Sequence, residues 1–144
     1  MCWGEAHDGS LGTAQNQRAA EPMPVAGGHT FKAITAGFDF TCALATDGHA
    51  WCWGHNDYGA VGSGTVRHSL VPTQVAGGQT FTAISAGSSH VCAIAADGSL
   101  WCWGDNADGE LGIARSQTCR RATGPGQTEA HPCSMVPEKV QDPR

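Results

Sequence analysis

The chain has 144 residues, a length that fits one domain and suffices for a hydrophobic core. Only 15% of the residues are charged, and the formal net charge is −5. Phosphate binding needs clustered Lys and Arg, so this balance argues against a nucleic-acid partner. No apolar run is long enough to cross a bilayer, and the first residues lack the pattern of a signal peptide. The 20 glycines and 7 prolines predict many turns.

A repeat with a period of 50 residues dominates the sequence. Residues 25–64 and 75–114 are identical at 22 of 40 positions. The first residues fall in the same frame, because the triplet Cys-Trp-Gly begins at Cys2, Cys52 and Cys102. A period near 50 is typical of propeller blades and other arrays. We therefore predict one repeat domain over 1–144, divided into a partial repeat (1–24), a full repeat (25–74), a full repeat with a 15-residue insertion (75–140) and a short tail (141–144).

Each period has the pattern of short strands. Apolar residues nowhere recur at helical spacing over ten residues, so we predict no long helix. A hairpin signal, Asp47-Gly48, separates two apolar runs, and Pro72 marks a weak strand at an edge. The predicted strands of the first full repeat cover residues 31–35, 41–45, 49–53 and 71–75. Four short antiparallel strands per period are typical of one propeller blade.

The hairpin turn fixes the register of its two strands. A three-residue loop with Gly48 in the left-handed conformation places Cys42 opposite Cys52. The second repeat gives the same layout for Cys92 and Cys102. Neither face of the hairpin is polar, so we predict that it is buried on both sides, as in a sheet stacked between neighbouring blades.

The cysteines follow this register. Facing residues lie within about 4.5–5.5 Å at Cβ, near bridging distance, so we predict a disulfide across each hairpin. Two small buried thiols are the alternative. Cys2 has no partner, because its partner would lie ten residues upstream, and we expect the chain to be a fragment.

The insertion in the last repeat, residues 119–133, begins and ends with a cysteine. We predict that a Cys119–Cys133 disulfide closes it as a polar surface loop, which stabilises by about 3 kcal/mol in the chain-entropy model. Metal binding by Cys119, His131 and Cys133 is the alternative, but a fourth ligand is not evident.

No catalytic constellation stands out in the sequence. The seven histidines are scattered, and none forms a metal pair at helical spacing. A Gly-x-Ser-x-Gly elbow and a Walker loop are both missing. Trp53 and Trp103 fall on the repeat frame, so we assign them to core packing. We expect no enzyme activity, no cofactor and no metal.

The repeat carries a recognisable motif. Its elements in the second full repeat are Ala86-Gly87, His90, Ala93-Ile94, Asp97-Gly98, Trp103-Gly104-Asp105-Asn106 and Gly109-Glu110-Leu111-Gly112. This pattern resembles the repeat of the regulator of chromosome condensation family, whose members fold as β-propellers, commonly with seven blades. Two positions depart from the motif. In the first full repeat Phe40 stands where the motif has His, and in the partial repeat Ala6 stands where the motif has the Asn after Trp-Gly. The resemblance implies an all-β fold, a β-propeller arc of about two and a half four-stranded antiparallel blades in an incomplete ring.

The resemblance also guides the functional interpretation. The family includes exchange factors for a nuclear GTPase, chromatin binders and secreted inhibitors, and cysteine pairs favour an oxidising compartment. We expect a non-enzymatic protein-interaction module, part of a secreted or cell-surface propeller with a protein partner. An intracellular exchange factor or chromatin-associated regulator is the first alternative, and a propeller lyase or hydrolase is the second. Self-association is expected to cover open blade edges.

Binding on a repeat scaffold usually resides in its variable loops. The candidate contact residues are His55, Asn56, Asp57, Tyr58, Asp105, Asn106, Asp108, Arg120 and Arg121.

Overall fold

A computed structural model describes residues 1–141 and shows an all-β chain. Its strands are β1 (Cys2–Gly4), β2 (Ala19–Met23), β3 (Phe31–Ala36), β4 (Phe40–Ala45), β5 (Ala50–Gly54), β6 (Ser69–Gln74), β7 (Phe81–Ala86), β8 (His90–Ala95), β9 (Leu100–Asp105), β10 (Gln117–Gly124) and β11 (Gln127–Lys139). They form three antiparallel sheets, in the orders β1-β2, β3-β4-β5-β6 and β10-β11-β9-β8-β7. We call them the first, middle and last sheets. Over the described range, no helix is long and apolar enough to cross a membrane. Most of the short tail predicted at 141–144 lies outside the described residues.

The predicted hairpin register is confirmed. Cys42 pairs with Cys52 and Ala43 with Trp51 in the middle sheet, and Cys92 pairs with Cys102 in the last sheet. A small residue therefore faces each large one, which lets neighbouring sheets interdigitate. The turn is set by a left-handed glycine, Gly48, with a φ of 90°.

The main core lies between the middle and last sheets. The buried residues that β4 and β5 contribute are Phe40, Cys42, Leu44, Ala50 and Cys52, and those from the last sheet are Phe81, Val91, Ala93 and Trp103. Every residue of β4 is buried, as predicted for a hairpin covered on both sides. In the last sheet this prediction is wrong, because Ile94 and Leu100 are 44% and 40% exposed. No further sheet covers that face within residues 1–141, and self-association there stays a prediction.

The insertion forms a β-hairpin rather than the predicted surface loop. Strands β10 and β11 pair from Gln117 opposite Cys133 to Gly124 opposite Gln127. The last sheet therefore has five strands instead of the predicted four. Pairing satisfies the backbone N–H and C=O groups of the inserted residues, which an irregular loop would leave to solvent.

The structure joins the same three cysteine pairs that the sequence predicts, Cys42–Cys52, Cys92–Cys102 and Cys119–Cys133. The free cysteine is Cys2. With both of its thiols in a disulfide, the metal site considered for the insertion lacks its thiolate ligands.

Candidate binding face

Two equivalent junctions hold the three sheets together. At the first junction, between the first and middle sheets, the Trp53 indole Nε1 donates to the Ser10 carbonyl at 3.0 Å. At the second junction, between the middle and last sheets, the Trp103 Nε1 donates to the Ala60 carbonyl at 2.9 Å. Both indoles are fully buried. Each tryptophan therefore fixes the loop of the preceding sheet, so the side chains on that loop reach the next sheet in a defined position.

A cavity of about 320 Å³ opens at the second junction. Its lining includes Phe38, Asp39, His55, Tyr58, Ser88 and Arg121. Phe38 lies at the edge of the cavity and is 81% exposed. Its backbone N–H donates to the Ser88 carbonyl at 3.0 Å. An exposed phenyl ring on a fixed backbone beside a concave surface is a feature of binding sites.

Tyr58 organises the polar side of this cavity. Arg121 donates from Nη1 to the Tyr58 hydroxyl at 2.8 Å, and its guanidinium carbon lies 5.9 Å from the Tyr58 ring centroid. The His131 ring lies 4.2 Å from the Tyr58 ring. Glu129 holds the Arg121 Nε from 3.7 Å. The β10–β11 hairpin thus supplies a positioned cation and an imidazole to the second junction.

A cluster of two carboxylates and two imidazoles occupies the first junction. Asp8 Oδ2 lies 2.8 Å from His55 Nδ1, and Asp8 Oδ1 lies 3.2 Å from His68 Nδ1. On the other side of the rings, Asp57 lies 3.5 Å from His55 Nε2 and 3.0 Å from His68 Nε2. The hydrogen bond with His55 is the main cause that lowers the pKa of Asp8 below its ordinary value.

The structure brings some of the predicted contact residues together and separates others. His55, Tyr58 and Arg121 line the cavity, and Asp57 belongs to the cluster of the first junction. Arg120 is exposed on β10, on the strand face opposite the buried Cys119. The remaining candidates outside the cavity lining are Asp105 and Asp108. Whether any of these residues contacts a partner stays a prediction.

Two predicted contact residues are corrected by the structure, because Asn56 and Asn106 are 0% and 8% exposed. The Asn56 amide donates to the carbonyls of Thr65 and Arg67, each at 2.9 Å, and its Oδ1 accepts from the Val61 N–H at 2.9 Å. These asparagines satisfy loop backbone groups that have no strand partner. They hold the loops in shape rather than forming their outer surface.

Sequence reasoning missed Phe38, Asp8 and His68. Asp8 occupies the frame position of Tyr58, so the offset of 50 could have placed it at a junction. His68 lies in the segment between Trp53 and Pro72, where the two full repeats differ in length, so the frame gave no position for it.

Antiparallel sheets built from one repeat and joined through equivalent buried tryptophans define an arc of a β-propeller. Two family models described as the regulator of chromosome condensation (RCC1) repeat match the chain, one over residues 47–94 and the other over residues 31–60 and 81–110. Together the two models match residues 31–110, so the chain carries repeats of the RCC1 type. No curated protein sequence matches it significantly.

Solved structures show the same fold. The chain is similar to Prp20p from Saccharomyces cerevisiae, described with its binding properties to Gsp1p and histones, with a TM-score of 0.72 and 19% identity over 98% of this chain and 34% of that one. For yeast RCC1 (Prp20) bound to Kap60, the TM-score is 0.69 and the identity is 18%, over 98% of this chain and 32% of that one. For human WBSCR16, the TM-score is 0.70 and the identity is 22%, over 98% of this chain and 34% of that one. The chain spans about a third of the length of these proteins.

Proposed function

We propose that this chain is a protein-interaction module whose partner binds over the cavity of the second junction. The observation that carries the proposal is the exposed Phe38 ring beside Tyr58 and Arg121. Aromatic and arginine side chains dominate the binding energy of protein interfaces, especially when their orientation is fixed before binding. Here the Arg121–Tyr58 hydrogen bond and the Phe38 backbone hydrogen bond supply that fixation.

The similar structures support a protein partner as a class. Prp20p was described with binding to Gsp1p and histones, and yeast RCC1 was solved with Kap60. These partners belong to those proteins, and identities of 18–19% carry no contact residue across to this chain.

Placement outside the cell or at its surface forms part of the proposal. Three disulfides in a chain of this size support an oxidising compartment, because cytosolic thiols are kept reduced. An intracellular exchange factor or chromatin regulator is the second candidate, favoured by the likeness to Prp20p. A chromatin role would require a basic surface, and the net charge of −5 opposes it.

A non-enzymatic role also forms part of the proposal. The ionisable groups at both junctions are engaged with one another, as in the Asp8–His55 and Arg121–Tyr58 pairs. These contacts support a structural or binding role for the groups involved.

Site-specific photo-crosslinking tests the proposal. A benzophenone amino acid at position 38 should give a discrete protein adduct in secreted or surface material of the source organism, and Arg121→Ala should remove that adduct. The matched control places the same probe at Ile94, an exposed apolar residue of the last sheet that lies away from the cavity. The same adducts from both positions would contradict a binding role for the cavity.

The same probe separates the two compartments. An adduct found only in cytosolic material, together with nucleotide-exchange activity toward a Gsp1-type GTPase, would support the second candidate instead.

A further inference from the structure

The cluster at the first junction has the donor set of a metal site. One ligand atom from each of Asp8, His55 and His68 lies within 4.8 Å of the others. The three residues are 47 and 13 positions apart and lie in loops that connect strands of two different sheets. The centroids of the two imidazole rings lie 4.6 Å apart, and the Asp8 carboxylate faces both rings. Packing of the strands does not require these polar side chains to meet.

We propose that Asp8, His55 and His68 bind one divalent transition-metal cation of the Zn²⁺ class, through the Asp8 carboxylate and the two Nδ1 atoms. Two imidazole nitrogens and one carboxylate oxygen suit Zn²⁺, whereas Mg²⁺ and Ca²⁺ take oxygen ligands. The fourth position of the tetrahedron faces solvent and takes water. Each Nδ1 coordinates through the lone pair of a neutral imidazole, so the proton moves to Nε2.

The separations fit such a site. Metal–ligand distances of about 2.0–2.1 Å place the corners of a tetrahedron about 3.3 Å apart. Asp8 already lies 2.8 Å and 3.2 Å from the two Nδ1 atoms. These contacts run to different Asp8 oxygens, and the three ligand atoms lie within 4.8 Å of one another, so cation binding requires the side chains to close in around it. The four side chains of the cluster are 25–38% exposed, so a cation can reach them from solvent.

Asp57 supplies the outer shell that imidazole ligands require. Histidines that bind metal almost always donate their second ring N–H to a carboxylate, a carbonyl or water. The Asp57 carboxylate lies 3.0 Å from His68 Nε2 and 3.5 Å from His55 Nε2, on the side away from Asp8. Its hydrogen bond with His68 Nε2 and its position near His55 Nε2 favour protonation of both rings at Nε2, which leaves both Nδ1 atoms for the metal.

Partly buried hydrogen bonds on both sides of the junction hold the ligands in place. The Ser10 carbonyl, two residues after Asp8, accepts from Trp53 at 3.0 Å and from Thr41 at 2.9 Å. The Asn56 amide binds the Arg67 carbonyl at 2.9 Å, which ties the residue after His55 to the residue before His68. A site built on fixed elements loses little ordering entropy when the cation binds.

The second junction provides an internal comparison, because its frame is the same and its donors are not. Tyr58 stands at the position of Asp8, and Asp105 at that of His55. Its nearby histidine, His131, has Nδ1 3.7 Å from Asp105, and within residues 1–141 this pair is not part of a three-ligand group. We expect the cation at the first junction alone. This inference does not depend on the proposed partner.

Titration of the untagged full chain with Zn²⁺ and Co²⁺ tests the site. The protein is first stripped with a chelator in a buffer free of reductant, so that the disulfides stay formed. Calorimetry should give one bound Zn²⁺ per chain, and Co²⁺ should give the intense visible bands of a tetrahedral centre with N and O donors. Mg²⁺ and Ca²⁺ should give no binding. Zn²⁺ should also raise the melting temperature, because it binds the folded state.

Variants separate this site from other donors. Asp8→Asn and His68→Gln should abolish one-to-one binding and the Co²⁺ bands, and Asp57→Asn should weaken Zn²⁺ binding by about 10–100-fold. His49→Gln is the matched control, since it removes a surface His–Asp pair with 3.2 Å between Nδ1 and Oδ2. Cys2→Ser removes the free thiol. Both controls should keep full affinity.

Circular dichroism establishes that each variant is folded before titration. Less than one Zn²⁺ per parent chain would overturn the proposal. So would unchanged binding in folded Asp8→Asn and His68→Gln, or loss of binding in Cys2→Ser.

Discussion

The first and second junctions share one frame and differ in the side chains that the frame carries. In both, a buried indole donates to a loop carbonyl of the preceding sheet, from Trp53 to Ser10 and from Trp103 to Ala60. On the solvent side, the first junction holds two imidazoles between two carboxylates, and the second holds a tyrosine against an arginine. The repeat therefore determines the packing, while substitutions at frame positions determine the chemistry of each junction.

The largest expected effect concerns the tryptophans. Trp103→Ala should lower the free energy of unfolding by about 3–5 kcal/mol, the usual loss for a buried indole. Trp103 belongs to the main core cluster between two large sheets, whereas only the two-stranded first sheet covers Trp53. Trp53→Ala should therefore cost less. Chemical denaturation compares the two variants, and an equal or larger loss for Trp53→Ala would show that the first junction is as strong as the second.

The disulfide of the last hairpin comes next. Replacing Cys119 and Cys133 together with Ala should cost about 3 kcal/mol in the chain-entropy model and should loosen the strands that carry Arg121 and His131. Denaturation and hydrogen exchange should show the loss at the second junction, with the amides around Asp8 as the internal control. Equal loss of protection at both junctions would mean that the hairpin stabilises the whole arc.

Thiol counting tests the oxidised state on which this comparison rests. Intact mass after alkylation should show one free thiol, at Cys2, without reductant and seven after reduction and unfolding. Three or more alkylated cysteines in native protein from an oxidising compartment would sink the disulfide assignment.

Adding a methyl group at the glycines that touch the two buried indoles should have a smaller effect on stability, and it compares the tightness of packing at the two junctions. A Cβ at Gly12 would lie 2.7 Å from Trp53 Nε1, and one at Gly62 would lie 2.8 Å from Trp103 Nε1. Each Ala variant should therefore cost about 1–3 kcal/mol more than Gly28→Ala. Gly28 has the same φ of +67° as Gly12 but nothing within 4 Å, so it isolates the backbone strain. Equal costs in thermal unfolding would mean that the indoles yield to the added methyl group.

The smallest expected effect is in the acid range. The pKa of Asp8 is lowered in the folded chain, so protonation favours unfolding, and its stabilisation holds at neutral pH and is lost below about pH 4. Asp8→Asn should remove this part of the acid destabilisation, worth about 0–1 kcal/mol for a pair this exposed. Unfolding of parent and variant at several pH values measures it. An identical pH dependence would show that Asp8 is not paired in solution.

The strand register within each repeat was predictable from the sequence, because the length of the turn and the pairing of small with large residues determine it locally. The three-residue turn ending at Gly48 gave the register of Cys42 and Cys52 correctly. The hairpin of residues 117–139 was not predictable, because its polar strands lack the apolar alternation of a core strand. The histidine–carboxylate cluster was missed because a period aligns equivalent positions but does not show which loops of neighbouring repeats meet.

The inserted hairpin also changes what the arc presents to other molecules. Strand β10 is the outermost strand of the last sheet, and its free edge offers unpaired N–H and C=O groups to any extended chain. Arg120 and Arg121 lie in the middle of this strand, where stacking a second copy edge to edge would bring like charges together. The insertion thus widens the sheet by one strand and places positive charges along its new edge, which opposes edge-to-edge pairing with a second copy.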